Sequence, residues 1–347
     1  MTGEAMNLQA LPKVELHLHL DCSPSFDVVS RLSPSTTREQ FEREFIAPSR
    51  CTNLADFLKR PPKCIALMQD EEPLRMVVDD VFAQLQRDNL IYAEIRFAPL
   101  LHLEHGLEPE DVVEIVDQAV AKASESSGIE AGIILFTLRH YTQEQSLTTV
   151  KLVEKFRGRR VVALDIAGDE AGYPLDVHIP AFAYAAEKKL ARTAHCGEAK
   201  GPESVWETLK LLSPSRIGHG VRSTEDPKLM QHLRDHGIHM EVCPSSNVQT
   251  NMYESYGEHP VGTLATSGVS FGVSTDCRTV CNITLNQEYE LLRKNFSWDM
   301  NQFLRCNLNA VQASFAPEPV KQSLIARLHA GYGVAREQLE EAISTIE

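Results

Sequence analysis

The stretch Val14 to Cys22 reads VELHLHLDC and puts two histidines one residue apart inside an apolar run. Side chains of a strand alternate between its faces, so a strand here sends Glu15, His17 and His19 to one side and Val14, Leu16, Leu18 and Leu20 to the other. Two imidazoles on one face of a core strand suit a metal. A metal site needs three or four donors, however, and an HxH pair supplies only two. A lone buried histidine is more often a hydrogen-bonded core residue, so the reading turns on whether further ligands lie at compatible places in the chain.

Eight runs of β-branched or apolar character recur along the chain. They are KVELHLHL (13–20), LIYAEIRFAP (90–99), AGIILFTLR (131–139), VVALDIAG (161–168), RTAHCGE (192–198), RIGHG (216–220), HMEVCP (239–244) and VSFGVSTD (269–276). Apolar residues at three-to-four spacing mark helices between them, as in PEDVVEIVDQAVAKASESS, SLTTVKLVEKFR, HIPAFAYAAEKK and DPKLMQHLRDH. Alternating strand and helix calls for parallel strands with crossover helices, and eight repeats close a (β/α)8 TIM barrel of the α/β class. The span from Asp21 to Asn89 exceeds one crossover and predicts extra helices after the first strand, among them NLADFLKRPPKCIALM, overhanging the barrel mouth. LNQEYELLRKNF and the residues after it predict further helices at the C-terminus. No repeat or linker divides the chain, so one domain over 1–347 is expected.

Barrel active sites are built at the C-terminal ends of the strands. His17 and His19 close the first run, His195 lies near the end of the fifth, His219 in the sixth, and Asp276 ends the eighth, so all five converge at one mouth. Three imidazoles and a carboxylate form a set suited to zinc with room for a water. A divalent ion lowers the pKa of that water toward neutrality, which makes metal-assisted hydrolysis the expected reaction class, with His219 and Asp276 placed to orient the water or accept its proton. Glu198 follows His195 by three positions in HCGEAKGPES. It reads either as a helix-start carboxylate favoured by the helix dipole or as a buried acid that protonates the substrate.

Bulk properties narrow the class. The chain has 347 residues and a formal charge of −14, and no basic stripe, which argues against nucleic acid and anionic membranes as partners. Eight scattered cysteines without a CxxC pair read as reduced thiols. The start MTGEAMNLQALPK lacks the pattern of a secretion signal and no run has membrane-spanning length, so a cytoplasmic location is expected.

Taken together, VELHLHLD, HCGE, RIGHG, EVCPSSN and STD, in that order from about Lys13 to about Leu292, resemble the adenosine deaminase family of the amidohydrolase superfamily. The resemblance implies one zinc held by His17, His19, His195 and Asp276. It implies Glu198 as the acid that protonates N1 of a purine, and His219 as the base or electrostatic partner of the hydroxide that adds to C6 and expels ammonia. It further implies that Asp21 holds a ribose 5′-hydroxyl, that Gly168 offers a backbone contact to the base, and that the ligand is a small purine nucleoside. Two-metal relatives carry a bridging lysine at the end of the fourth strand; LDIAGDE has none, so one metal per chain is expected. The zinc deaminases of a separate fold, with HxE and PCxxC motifs, are excluded because neither motif appears at the right spacing.

Two positions depart from the family pattern. Cys277 stands where a second aspartate usually bonds N7 of the purine, and a thiol is a weaker donor, costing about 1 kcal/mol or more of recognition. Cys22 stands where glycine is usual. The thiols either tune substrate choice or are neutral replacements. A carboxylate at Asp21 with no arginine cluster near it favours a nucleoside over a nucleotide. Adenosine and 2′-deoxyadenosine are the expected substrates, with adenine or a 5′-modified nucleoside such as aminodeoxyfutalosine as alternatives. A hydrolase of another amide, lactone or phosphoester, and a non-catalytic nucleoside-binding barrel, are the competing classes. Leu54, Phe57 and Leu58 of NLADFLK read as a lid over the sugar or as a buried helix face. His102, His105, His140, His178, His232, His236, His239, His259 and His329 read as surface or packing residues. Oligomeric state is not legible.

Overall fold

The computed structural model describes residues 7–333. The ends of the expected 1–347 domain, and part of the stretch read for a secretion signal, lie outside the described residues. All eight expected runs are strands: β1 Lys13–His19, β2 Leu90–Phe97, β3 Glu130–Leu138, β4 Val161–Ala167, β5 Ala191–Cys196, β6 Arg216–His219, β7 His239–Val242 and β8 Phe271–Val273. They pair in parallel in sequence order. The circle closes just beyond β8, where Leu18 bridges Asp276, the His19 N–H donates to the Asp276 carbonyl at 2.8 Å and the Asp276 N–H donates to the His17 carbonyl at 3.0 Å. The protein is a (β/α)8 barrel.

The helices fall where the apolar spacing requires them. Between β1 and β2 run α1 Phe26–Leu32, α2 Arg38–Glu44, α3 Leu54–Phe57, α4 Pro61–Ile65 and α5 Glu71–Arg87. Single crossovers follow as α6 Pro109–Ser127, α7 Gln143–Lys155, α8 Ile179–Glu187, α9 Pro202–Leu212 and α10 Pro227–Asp235. Two short helices, α11 Pro244–Gln249 and α12 Val261–Ser267, separate β7 from β8, and α13 Arg278–Cys281, α14 Leu285–Phe296, α15 Met300–Ala313 and α16 Glu318–Tyr332 complete the chain. The run NLADFLKRPPKCIALM is not one helix but two short ones, because Pro61 has no N–H to continue α3 and instead starts α4.

Both faces of the barrel wall are buried. Outward residues such as Leu18, Ile95, Ile133 and Ile217 are completely covered by the helix layer, which contributes the stripe Val112, Val116, Ala119, Val120 and Ala123 from α6. Truncating one of these to alanine costs about 2–5 kcal/mol. The inward face is ionic: Arg96 from β2 donates to Asp165 of β4 and Glu241 of β7, both at 2.6 Å, and all three are solvent-free. This charged layer is the floor of the site described next.

Candidate active site

At the C-terminal rim, one donor atom from each of His17, His19, His195 and Asp276 falls within 4.8 Å of all the others, and the four residues are buried. His19 Nε2 is 3.2 Å from His195 Nε2 and 3.3 Å from Asp276 Oδ1. His17 Nε2 makes no hydrogen bond although Asp276 Oδ1 stands 3.4 Å away. A buried nitrogen without a partner costs about 1–3 kcal/mol. A cation at the centre would satisfy it, and three nitrogens with one oxygen are the donors a zinc-like ion takes. The residues therefore fit a metal.

The floor aims these rings. His17 Nδ1 lies 2.9 Å from Glu241 Oε2, and His195 Nδ1 lies 3.1 Å from Asp165 Oδ2, so each ring donates N–H outward and turns its Nε2 lone pair to the centre. Asp276 Oδ2 accepts from the Ser246 hydroxyl at 2.7 Å. Gly218 leaves the room: a Cβ there would stand 2.9 Å from Cε1 of His17 and 3.2 Å from Cγ of His195. His219 (φ 58°) and Asp276 (φ 65°) are both in the left-handed region, a conformation that costs roughly 1–3 kcal/mol at a non-glycine residue and re-aims the side chain at a strand end.

Around this cluster the other expected residues face one cavity of about 80 Å³, walled by Leu54, Phe57 and Leu58 on the outer side. Sites that bury small molecules run from about 300 Å³, so the space that α3 and α4 help to wall is narrow. Glu198 lies in the loop after β5; α9 starts later, with Gly201 as its N-cap and Glu203 in its first turn, so Glu198 is not a helix-start carboxylate. Burial foremost, and then the charge of Asp276, push its carboxyl well above the usual carboxylate range. Its Oε2 is 3.6 Å from His219 Nε2. Burial and the neighbouring His17 hold His219 well below the usual histidine value.

Asp21 is pushed up to about 7 by burial, and its Oδ2 accepts from the Ala98 N–H at 3.3 Å. Gly168 lines the cavity at φ 103°, where a side chain would be strained. Cys22 and Cys277 line it too, their S–H groups directed at the adjacent Asp21 (3.6 Å) and Asp276 (3.7 Å). Burial keeps the Cys277 thiol protonated. No lysine or arginine lines this cavity among the described residues.

Several participants were not singled out from the sequence. Asp165, Glu241 and Arg96 form the floor; a charged residue alternating with apolar ones in a strand was their only signal. Glu170 accepts from the backbone N–H groups of Gly197, Glu198, Ala199 and Lys200 at 2.6–3.0 Å, tying down the loop that carries Glu198. Among the histidines set aside, His102, His178 and His239 are buried packing residues and His105, His140 and His236 are exposed, while His259 is buried within reach of Asn247 and hence of His219.

Comparison with known proteins agrees with this geometry. The sequence model of the family described as "Adenosine deaminase" matches residues 12–331. An adenosine deaminase of Clostridium perfringens is 33% identical over 326 residues, covering 92% of this chain and 98% of the relative. The Arabidopsis N6-mAMP deaminase structure superposes with a TM-score of 0.83 at 25% identity, covering 93% of this chain and 99% of that one. A Burkholderia ambifaria amidohydrolase with bound zinc shares the fold, with a TM-score of 0.86 at 19% identity over 99% of this chain and 97% of its own.

Proposed function

The chain belongs to the adenosine deaminase family and is a hydrolytic deaminase, and from that premise we propose that it converts adenosine and 2′-deoxyadenosine to the corresponding inosines and ammonia with one zinc ion. The observation that carries this reading is the facing of a buried Glu198, whose carboxyl burial holds well above the usual range, and of His219 into a cavity also lined by His19, His195 and Asp276, whose donor atoms cluster with that of His17. Those four residues would hold the ion, which when bound supplies Lewis-acid activation of water.

The chain's own groups do the rest. Glu198 holds a proton in a water-poor pocket and delivers it to N1 of the purine, so that negative charge does not build on the ring as oxygen adds to C6. His219, whose Nε2 lies 3.6 Å from the Glu198 carboxyl, lines the same cavity and meets the oxygen that adds to C6. Asp276, held by Ser246, keeps its orientation through the step. Asp21 lies on the cavity wall where a 5′-hydroxyl can meet it, and the backbone at Gly168 offers an edge to the base. Phe136, whose ring packs edge-on to His19 with centroids 5.1 Å apart, supplies an apolar wall for a flat heterocycle.

Absence of cationic lining residues in the described cavity favours a nucleoside over a nucleotide such as the N6-methyl-AMP named for the Arabidopsis neighbour. Assaying zinc-loaded protein against adenosine, 2′-deoxyadenosine, adenine, 5′-modified adenine nucleosides and AMP, by ammonia release and the ultraviolet change on loss of the 6-amino group, tests this. Turnover of the two nucleosides is expected. No turnover of any 6-aminopurine removes the reading, and turnover of AMP or adenine alone reassigns the substrate. Glu198→Gln is expected to lower kcat by about 10²- to 10⁴-fold with metal content unchanged; lost metal would place Glu198 in a different role.

A further inference from the structure

A chain of three hydrogen bonds leads from the backbone of α12 to His219. The Val261 N–H donates to His259 Nδ1 at 3.1 Å. His259 Nε2 lies 3.2 Å from Asn247 Oδ1, and Asn247 Nδ2 lies 3.1 Å from His219 Nδ1. The far ring nitrogen of His219 points into the cavity, 3.6 Å from Glu198.

A backbone N–H is only ever a donor, and that fixes every proton in the chain. His259 Nδ1 must accept, so its proton sits on Nε2. Nε2–H must then meet an acceptor, which is Asn247 Oδ1, and the Asn247 amide thereby presents N–H to His219 Nδ1. His219 Nδ1 must accept, so its proton sits on Nε2. Turning the Asn247 amide over would set N–H against N–H at His259, and turning the His259 ring would forfeit the bond from Val261. A second proton on His219 would face the Asn247 amide N–H directly. All three side chains are solvent-free or nearly so, at 0–2% exposure, so water cannot repair a broken link.

We propose that Val261, His259 and Asn247 form a relay that fixes His219 as its neutral Nε2–H tautomer, so that His219 meets the reacting oxygen as a hydrogen-bond donor and not as a base. Asn247 and His259 are positioning residues in this account. The inference rests on the deaminase reading for its consequence, since accepting a proton then falls to the carboxyl groups of the site. The relay itself is independent of it. His259 is seated by Tyr253 and Tyr256, with ring centroids 5.1 and 6.4 Å away, and the burial that holds it neutral keeps its pKa near 3.

Long-range nitrogen–proton NMR on the ¹⁵N-labelled protein, metal-free and zinc-loaded, reads the tautomer directly, with His219 assigned by comparison with His219→Asn. The expected pattern is a pyrrole-type Nε2 and a pyridine-type Nδ1 in both forms. Asn247→Leu and His259→Phe should each yield a mixture of tautomers and lower kcat by about 10- to 100-fold, the loss of one hydrogen bond to developing charge. KM should stay within about 3-fold and zinc content should not change. His259→Gln, whose amide N–H can reach Asn247 as the imidazole does, should hold kcat within about 3-fold of wild type. An Nδ1–H or doubly protonated His219 in the wild type overturns the proposal, as does an unchanged tautomer and kcat in His259→Phe. If no 6-aminopurine is turned over, the deaminase reading fails while the NMR pattern still decides the relay.

Discussion

Glu241→Gln tests whether the charged floor holds the site. Glu241 is solvent-free and surrounded by donors: Oε2 takes His17 Nδ1 at 2.9 Å and Arg96 Nη2 at 2.6 Å, while Oε1 takes Arg216 Nε at 2.8 Å and Thr193 Oγ1 at 3.1 Å. An amide nitrogen has a usable place only beside Thr193, whose hydroxyl can turn and accept, and there it displaces the Arg216 bond. Arg96 keeps Asp165 and the Leu16 carbonyl, and Arg216 keeps Glu94 and the Ala313 carbonyl, so neither cation is stranded. One charge-assisted bond is lost, worth about 1.5–3 kcal/mol, and the bonds from His17 and Arg96 weaken by about half on losing the charge. The sum is about 3–6 kcal/mol, the scale of what breaking a buried ion pair costs. Denaturant unfolding of the chelator-treated protein measures it without the contribution of bound metal. Because His17 loses a charged acceptor behind its ring, metal affinity read by chelator competition should fall about 10-fold. A stability loss under about 1 kcal/mol together with affinity within about 2-fold of wild type would refute the argument that this floor fixes the ligands.

Two further expectations follow from buried carboxylates. Glu170→Gln sets an NH₂ group against the N–H donors of residues 197–200 and the Ser204 hydroxyl; kcat should fall about 10- to 100-fold, and in a Glu198→Gln background the same change should alter the residual rate by no more than about 2-fold, because its effect passes through Glu198. Glu288, which accepts from the Ser245 N–H and the Tyr256 hydroxyl, is raised by burial from 4.5 to about 7. A raised carboxyl pKa means the folded state binds the proton more tightly than the unfolded chain, so stability is fully present below about pH 4.5 and declines as pH rises toward 7. Glu288→Gln should remove about 2–3 kcal/mol of the stability difference between pH 5 and pH 8, measured by denaturant unfolding; an unchanged pH dependence would contradict the assignment.

Much of the fold and of the candidate site was legible because barrel geometry ties both to local signals. Each of the eight runs is short and apolar and lies between helical spacings, and site residues of a barrel sit at run ends, where His17, His19, His195 and Asp276 come together as a cluster able to hold a metal. What stayed hidden was set by three-dimensional proximity. Asp165 and Glu241 lie in strands separated by 76 positions yet share Arg96, and nothing in LDIA or HMEV announces it. His259 reads from the sequence as a surface or packing residue, and only the fold of α11 and α12 brings it beside Asn247. Helix α9 is not among the helices named from the sequence; Gly201 and Pro202 are its N-cap and first residue. NLADFLK reads equally as lid or buried face; Leu54 and Phe57 are buried and at the same time wall the cavity.

That double role has a practical consequence. Leu54 and Phe57 pack in a small apolar cluster with Cys22, Cys51, Cys277 and Cys281, apart from the main core of the barrel. If this wall lifted far enough to admit the proposed nucleoside, it would uncover buried sulfur atoms, so entry of a ligand and access of an alkylating reagent would be one and the same opening. The pace at which these thiols are captured would then be a clock for that opening, and a ligand that held the wall in place would slow it.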